Sequence, residues 1–216
     1  RRLCQPPVTA ALMAAPARIA ILASGDGSNM EAIARACAQG DIGATVALVI
    51  ANVTGAGVLE RARRLGIEGC CIPHRHFSER AAFEAALLSR LREAGAELVA
   101  LAGFMRVLTD GFVRQYYGSL LNIHPSLLPK YPGLDTHRRA LAAGDAEAGA
   151  TVHFGTPDLD AGPAVLQAAV PVRSDDDEAS LAERVRRVEH EIFPTAVRWW
   201  ASGRLALVDG EARLDG

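Results

Sequence analysis

Four short apolar runs recur along the first part of the chain, and each ends at a polar or glycine-containing turn. Their side chains are apolar at nearly every position, as in strands that are buried on both faces of a sheet. We predict strands at Arg18–Ala23, Thr45–Ile50, Leu98–Leu101 and Leu120–Ile123. The segments between the first three have helical periodicity and predict helices at Asn29–Ala38, Val58–Leu65 and Ser78–Ala94, the last with Ser78 as its N-cap.

The second half of the chain has a more mixed pattern. It predicts strands at Thr151–Phe154 and Val165–Val172, a long helix at Glu178–Ala201, and a closing hairpin of Leu205–Val208 and Ala212–Leu214. Strands that alternate with helices indicate an α/β fold. We therefore expect a single Rossmann-like domain with a mostly parallel sheet, helices on both faces and antiparallel strands toward the C-terminus. In such sheets ligands bind beyond the carboxyl ends of the strands.

Composition narrows the class of protein. The 216 residues suffice for one domain with a substantial core, and 23 basic against 25 acidic side chains give a net charge of −2. This balance argues against a nucleic-acid-binding surface. Four cysteines without a CxxC pair favour a reducing cytoplasm, and no apolar run reaches the roughly 20 residues that span a bilayer.

The N-terminal segment faintly resembles a signal peptide, because Arg1 and Arg2 precede an alanine-rich stretch. However, Gln5-Pro6-Pro7 interrupts the apolar core that a signal peptide needs. We therefore expect residues 1–17 to be a flexible extension and residues 18–216 to form the functional domain.

A glycine-containing turn, Ser24-Gly25-Asp26-Gly27-Ser28-Asn29, joins the first strand to the first helix. Unpaired N–H groups and the positive end of the dipole at a helix start suit a phosphate, although a plain strand-to-helix turn would have the same sequence. The dinucleotide pattern GxGxxG fails because Met30 occupies the third glycine position, and no Walker lysine is present. If the turn binds an anion, a small phosphomonoester fits best.

A second candidate lies at the end of the fourth apolar run. Asn122 and His124 are two residues apart on a strand, so their side chains can share one face. An asparagine amide can stabilise an oxyanion, and a histidine can transfer protons near neutral pH, which together match acyl transfer to an amine. The same pair could instead satisfy the backbone of the following proline-rich loop. Because no nucleophile elbow and no Cys–His pair is present, direct transfer is favoured over a covalent enzyme intermediate.

These residues belong to a longer pattern. Asn122-Ile-His-Pro-Ser-Leu-Leu-Pro-Lys-Tyr-Pro-Gly133 resembles the signature of the formyltransferases that depend on 10-formyltetrahydrofolate. Five further motifs match that family in order and spacing: Ser24-Gly25-x-Gly27-Ser28-Asn29, Leu101-Ala-Gly-Phe-Met-Arg106, Val152-His-Phe154, Leu159-Asp160-x-Gly162-Pro163 and Glu189-His190-x-Ile192-Phe193-Pro194. The resemblance runs from about Ile19 to the C-terminus and is strongest to the stand-alone purine-biosynthesis branch.

The resemblance implies a function and a role for each matching residue. It implies transfer of the formyl group from 10-formyltetrahydrofolate, as co-substrate, to the amine of glycinamide ribonucleotide. The implied catalytic residues are Asn122, His124 and Asp160, with Thr151 and His153 in support. The substrate would be bound by Gly27, Ser28, Asn29 and Glu189. The folate would be bound by Arg80, Met105, Arg106, Val107, Leu108 and Asn122.

The resemblance leaves alternatives to be tested. Methionyl-tRNA formyltransferase and formyltetrahydrofolate hydrolase share the signature, but each carries an additional domain for which we see no room here. A non-catalytic nucleotide-binding module would not need the Asn122, His124 and Asp160 set. No metal-ligand spacing is evident, so we expect no metal. We also expect small-molecule substrates, no nucleic-acid or membrane partner, a cytoplasmic location, and a monomer or homodimer.

Overall fold

Seven strands form one mixed sheet in the computed structural model, which describes residues 15–216. They are β1 (Ala17–Ala23), β2 (Ala44–Ala51), β3 (Gly69–Cys71), β4 (Leu98–Leu101), β5 (Leu120–His124), β6 (Glu147–Phe154) and β7 (Ala164–Pro171). Their order is β3-β2-β1-β4-β5-β6-β7. The first five are parallel, whereas β6 and β7 are antiparallel to their neighbours. This arrangement confirms the predicted α/β fold.

Within residues 15–216, six helices cover the two faces of this sheet. They are α1 (Ser28–Ala38), α2 (Gly57–Arg64), α3 (Arg80–Glu93), α4 (Asp110–Gln115), α5 (Thr136–Ala143) and α6 (Glu178–Ala201), with a short 3-10 helix at His74–His76. Helices α1, α2, α5 and α6 pack on one face, and α3 and α4 on the other. Because both faces are buried, alternate residues of the central strands enter two separate apolar cores.

The long helix α6 has the predicted bounds, and its start has a clear local cause. Asp177 accepts a hydrogen bond from the Ser180 N–H at 2.8 Å, and the Ser180 hydroxyl accepts one from the Asp177 N–H at 3.1 Å. This reciprocal capping box satisfies N–H groups that the first helical turn leaves unpaired. The closing hairpin of β8 (Leu205–Val208) and β9 (Glu211–Leu214) also follows the prediction.

The predicted N-cap of the third helix is wrong. Helix α3 is capped at Glu79, whose backbone is still extended at φ −126° and ψ 142°, and no side chain completes the cap. Ser78 therefore lies one residue too early for the capping position. Two short helices, α4 and α5, were not predicted, and β6 begins four residues before the predicted Thr151.

Most of the predicted N-terminal extension, residues 1–14, lies outside the described residues, and the extension stays a prediction. Within residues 15–216, no helix combines the length and apolar character needed to cross a membrane.

Candidate active site

Strands β5 and β6 bring four polar side chains to one face of the sheet. Asn122 and His124 alternate with Ile123, whose side chain enters the core on the opposite face. In the antiparallel ladder, His153 lies directly opposite Asn122 and Thr151 lies opposite His124. Since directly opposite residues point to the same side, the ladder juxtaposes all four side chains. This agrees with the predicted grouping of Thr151 and His153 beside the Asn/His pair.

Asp160 completes the group from the loop between β6 and β7. Its Oδ2 lies 3.3 Å from Nδ1 of His124 and accepts a hydrogen bond from the Gly133 N–H at 2.8 Å. Its Oδ1 accepts a 3.4 Å hydrogen bond from Nδ2 of Asn122. The Asp160 backbone has a left-handed φ of 51°, uncommon for a residue other than glycine. Asp160 is therefore in contact with both of the other residues predicted as catalytic.

Backbone carbonyls determine which ring nitrogens of the two histidines carry protons. Nε2 of His124 lies 2.8 Å from the Tyr131 carbonyl oxygen, and a carbonyl can only accept, so this nitrogen donates. Nδ1 is then the position at which His124 gains or loses a proton beside Asp160. In His153, Nδ1 lies 2.9 Å from the Phe154 carbonyl oxygen and donates to it. Its Nε2 therefore accepts from Asn122, whose Nδ2 lies at 3.0 Å.

Burial and charge act in opposite directions on the His124–Asp160 pair. Burial lowers the pKa of His124, while the Tyr131 carbonyl and the charge of Asp160 partly offset this by favouring the protonated ring. Burial alone would raise the pKa of Asp160, but adjacent His153, the Gly133 N–H and His124 lower it overall. Nε2 of His153 lies 3.7 Å from Oδ1 of Asp160. The pair therefore combines an ionised carboxylate with an imidazole whose lowered pKa favours the neutral ring, which can accept a proton at Nδ1.

Replacing Asp160 by asparagine is expected to lower the pKa of His124 further. The substitution removes the negative charge next to Nδ1, and a nearby negative charge favours the protonated imidazole. An NMR titration of the His124 ring measures the change, and the limb of the pH–kcat/KM profile that reports this ring should move to lower pH. Asp158→Asn, on the exposed part of the same loop, is the matched control. An unchanged or higher pKa in the Asp160 variant would contradict this role.

Thr151 supports the loop that follows β5. Its buried hydroxyl donates to the Ser126 carbonyl at 2.7 Å and accepts from the Leu128 N–H at 3.1 Å. A third hydrogen bond, from Nε2 of Gln167, reaches the same oxygen at 2.8 Å. Thr151 thus stabilises the loop whose Tyr131 carbonyl orients His124. Through this loop it supports the candidate catalytic residues structurally.

The glycine turn presents a helix start with unpaired N–H groups. Gly27 is the N-cap of α1 and has a φ of 84°; a Cβ on it would come within 2.5 Å of Val58. The position therefore requires glycine on both conformational and steric grounds. In the part of the chain that the structure describes, the N–H groups of Ser28, Asn29 and Met30 have no hydrogen-bond acceptor. This geometry favours the phosphate-binding interpretation of the turn.

Glu189 of α6 lies beside this turn although 160 residues separate it from Asn29. Nδ2 of Asn29 donates to Oε2 of Glu189 at 2.8 Å. Burial raises the pKa of Glu189, and the Asn29 hydrogen bond partly offsets that rise. Oδ1 of Asn29 is buried and has no hydrogen-bond partner among the described residues, so a ligand hydroxyl or N–H could bind it.

Arg186, a positively charged residue close to Glu189, was not identified from the sequence. Arg186 lies one turn before Glu189 on α6. Burial is the main influence on both neighbouring groups, and the charge of Arg186 partly offsets the rise in the pKa of Glu189 and adds to the fall in the pKa of His190. Between residues 15 and 216 no carboxylate forms an ion pair with Arg186. Its i, i+3 spacing from Glu189 on the helix was the available signal.

The predicted folate segment, Met105–Leu108, is divided between surface and core. The side chains of Met105 and Val107 are exposed, and Arg106 is half-buried. Leu108 is 7% exposed and belongs to the core beneath α4, so its side chain is not available to a ligand without rearrangement. The Met105 N–H donates to the Ser24 hydroxyl at 2.7 Å, which ties this segment to the strand before the glycine turn.

Arg80 is exposed at the first position of α3. The structure gives it no hydrogen bond or ion pair to Asn122, His124 or Asp160. Arg80 is thus not in contact with the three residues predicted as catalytic. Across residues 15–216 no three His, Cys, Asp or Glu side chains are grouped as metal ligands.

The sequence and fold of this chain are similar to those of known proteins. A family model described as formyl transferase matches residues 17–197. Phosphoribosylglycinamide formyltransferase of Escherichia coli strain K12 is 48% identical over 198 residues, which cover 92% of this chain and 93% of that protein. The enzyme of the same name from Haemophilus influenzae is 43% identical over 92% of this chain and 94% of its own length.

Solved structures give the same picture. Glycinamide ribonucleotide transformylase 1 from Symbiobacterium toebii superposes with a TM-score of 0.90 at 43% identity, covering 93% of this chain and 95% of that chain. The similarity therefore extends over the whole described sheet and both candidate binding segments.

Proposed function

Because this chain belongs to the formyl transferase family, we propose that it transfers the formyl group of 10-formyltetrahydrofolate to the amine of glycinamide ribonucleotide. The chain is an enzyme of one-carbon group transfer in purine biosynthesis, as its relatives are. The observation that carries the proposal is the contact of Asp160 with both Asn122 and His124 at the end of β5. The unpaired helix start of α1 beside Glu189 supports a phosphorylated substrate.

The reaction follows from these groups. The substrate amine attacks the formyl carbon on N10 of the folate, which forms the new C–N bond and converts the carbonyl oxygen to an oxyanion. The amide N–H of Asn122 stabilises that oxyanion. Collapse of the tetrahedral intermediate breaks the bond from carbon to N10, and a proton that leaves the amine balances the one that N10 gains.

His124 is the group that handles this proton. Its Nε2 is held by the Tyr131 carbonyl, so exchange takes place at Nδ1, where Asp160 stabilises the protonated ring. General acid–base catalysis of this kind typically contributes about 10²–10⁴ in rate. Asp160 also holds the Gly133 N–H and thereby positions the loop around the imidazole.

Binding of the two substrates uses separate segments. Gly27, Ser28 and Asn29 bind the phosphate through backbone N–H groups, with Arg186 as a nearby cation, and Glu189 binds the ribosyl hydroxyls. The folate lies along Met105–Leu108, where Arg106 and the main chain make the polar contacts. Arg80 interacts with the glutamate tail, since a guanidinium matches a carboxylate.

A formyl-transfer assay tests the proposal. The protein is incubated with 10-formyltetrahydrofolate and glycinamide ribonucleotide without added metal and with chelator, and the formylated product is detected by mass spectrometry. Product is expected, with no cofactor beyond the folate. Release of formate at the same rate with and without glycinamide ribonucleotide would instead support a hydrolase. No turnover with bound ligand would support a binding module.

Replacing Ser28 by aspartate is expected to raise the KM for glycinamide ribonucleotide at least about tenfold, because a carboxylate at the helix start repels the phosphate. The KM for the folate should change little. Steady-state kinetics with each substrate varied in turn measure both constants. Ser202→Asp, at the exposed end of α6, is the control for an added negative charge. An unaltered KM for the ribonucleotide would count against phosphate binding at this turn.

A further inference from the structure

Residues of α1 and α2 donate hydrogen bonds to the backbone carbonyls of the glycine turn. Three successive carbonyl oxygens accept hydrogen bonds: Gly25 from the Val58 N–H at 3.0 Å, Asp26 from Nε of Arg61 at 2.9 Å, and Gly27 from the Glu31 N–H at 3.0 Å. In a trans peptide the carbonyl and the following N–H point in opposite directions. The N–H groups of residues 26–28 are therefore directed away from these donors.

Arg61 also neutralises the carboxylates around the turn. Its Nη2 donates to Oδ2 and Oδ1 of Asp26 at 2.7 and 2.9 Å, and its Nη1 pairs with Glu31. Glu31 has a second partner in Arg35, whereas Asp26 has no other ion-pair partner in the described part of the chain. Removing the guanidinium would leave an unpaired negative charge between Gly25 and Gly27.

We propose that Arg61 is a positioning residue for phosphate recognition, which holds the Asp26–Gly27 peptide with its N–H toward the phosphate and cancels the charge of Asp26. This inference rests on the proposed function. It gives Arg61 two separable contributions, one from hydrogen-bond geometry and one from charge. By Coulomb's law, a carboxylate within about one Debye length of a phosphate dianion in a hydrated site opposes binding by roughly fivefold, which sets the order of magnitude of the charge effect.

Steady-state kinetics on a set of charge variants test the proposal. Arg61→Met is expected to raise the KM for glycinamide ribonucleotide five- to tenfold or more, with kcat and the KM for the folate within about twofold of wild type. Arg61→Met combined with Asp26→Asn should recover most of that loss, because the uncompensated charge is removed. Arg61→Lys keeps the positive charge but loses the hydrogen bond from Nε. Its KM for glycinamide ribonucleotide should therefore lie between those of the wild type and Arg61→Met. Arg63→Met, an exposed arginine of the same helix paired with Glu60, is the matched control.

A merely structural role for Arg61 makes different predictions. It would lower the melting temperature and kcat together, and Asp26→Asn would not rescue the variant. An unchanged KM in Arg61→Met, or a double variant no better than the single one, would overturn the proposal.

Titration with inorganic phosphate separates this inference from the proposed function. The amide signals of Gly27 and Ser28 in NMR spectra should shift with phosphate, with weaker affinity in Arg61→Met and recovery in the double variant. This pattern would support the role of Arg61 even if the wild-type protein formed no product. Equal phosphate affinity in all variants would contradict it even if the enzyme were active.

Discussion

Replacing His124 by alanine is expected to lower kcat by at least about 100-fold while leaving folate affinity nearly unchanged. The imidazole is the group beside Asp160 that can exchange a proton near neutral pH, and alanine cannot replace it. The folate contacts proposed along Met105–Leu108 do not involve this side chain. The loss should therefore fall on the chemical step and not on binding.

Single-turnover kinetics and an equilibrium titration with a non-reactive folate analogue measure the two quantities separately. His76→Ala, which removes an exposed histidine from the short 3-10 helix, is the control and should retain wild-type turnover. Because His124 is buried, the melting temperature of the variant must be compared as well. A folded His124→Ala enzyme with turnover near wild type would rule out the proposed proton transfer.

Replacing Asn122 by leucine is expected to lower kcat by about 10²–10³-fold, the usual cost of losing one oxyanion donor. Leucine has the same number and branching of side-chain heavy atoms but no N–H, so it occupies the position without stabilising the developing charge. The substitution also removes the hydrogen bonds to His153 and Asp160. Asn122→Asp should be at least as damaging, because it sets a negative charge against the oxyanion.

Comparison of kcat with both KM values distinguishes this effect from a binding defect. If Asn122 acts in the transition state, kcat and kcat/KM should fall by similar factors. A rise in KM with an unchanged kcat would show that Asn122 contributes only to substrate binding.

The sequence predicted those parts of the fold that local interactions determine. Helix α6 was predicted with its observed bounds because the Asp177–Ser180 cap and the apolar periodicity lie within the segment itself. Helices α4 and α5 were missed because they are only six and eight residues long, and α5 also follows a loop that contains proline and glycine. Their stability comes from packing against the sheet, which a local pattern does not encode.

The sequence predicted only those candidate active-site residues that lie in recognisable motifs. Asn122 and His124 are neighbours on one strand, but their contact with Asp160 depends on a loop 36 residues further along the chain. The family resemblance supplied that partner. Arg61 gave no such signal, since its ion pair with Asp26 spans 35 residues and exists only after α2 packs beside the turn.

The two apolar cores have a consequence for how substitutions affect the enzyme. The phosphate turn and Glu189 are carried by α1 and α6 on one face of the sheet, whereas Arg80 and Leu108 are anchored in the layer of α3 and α4 on the other. On the proposed function, the ribonucleotide and the folate are bound by elements anchored in different layers, and the strand ends between them are shared. The substitution Ile33→Val in the first core is therefore expected to raise the KM for glycinamide ribonucleotide more than that for the folate, and Leu87→Val in the second core should do the reverse in steady-state kinetics. The sheet would then separate two binding sites whose affinities can be changed independently.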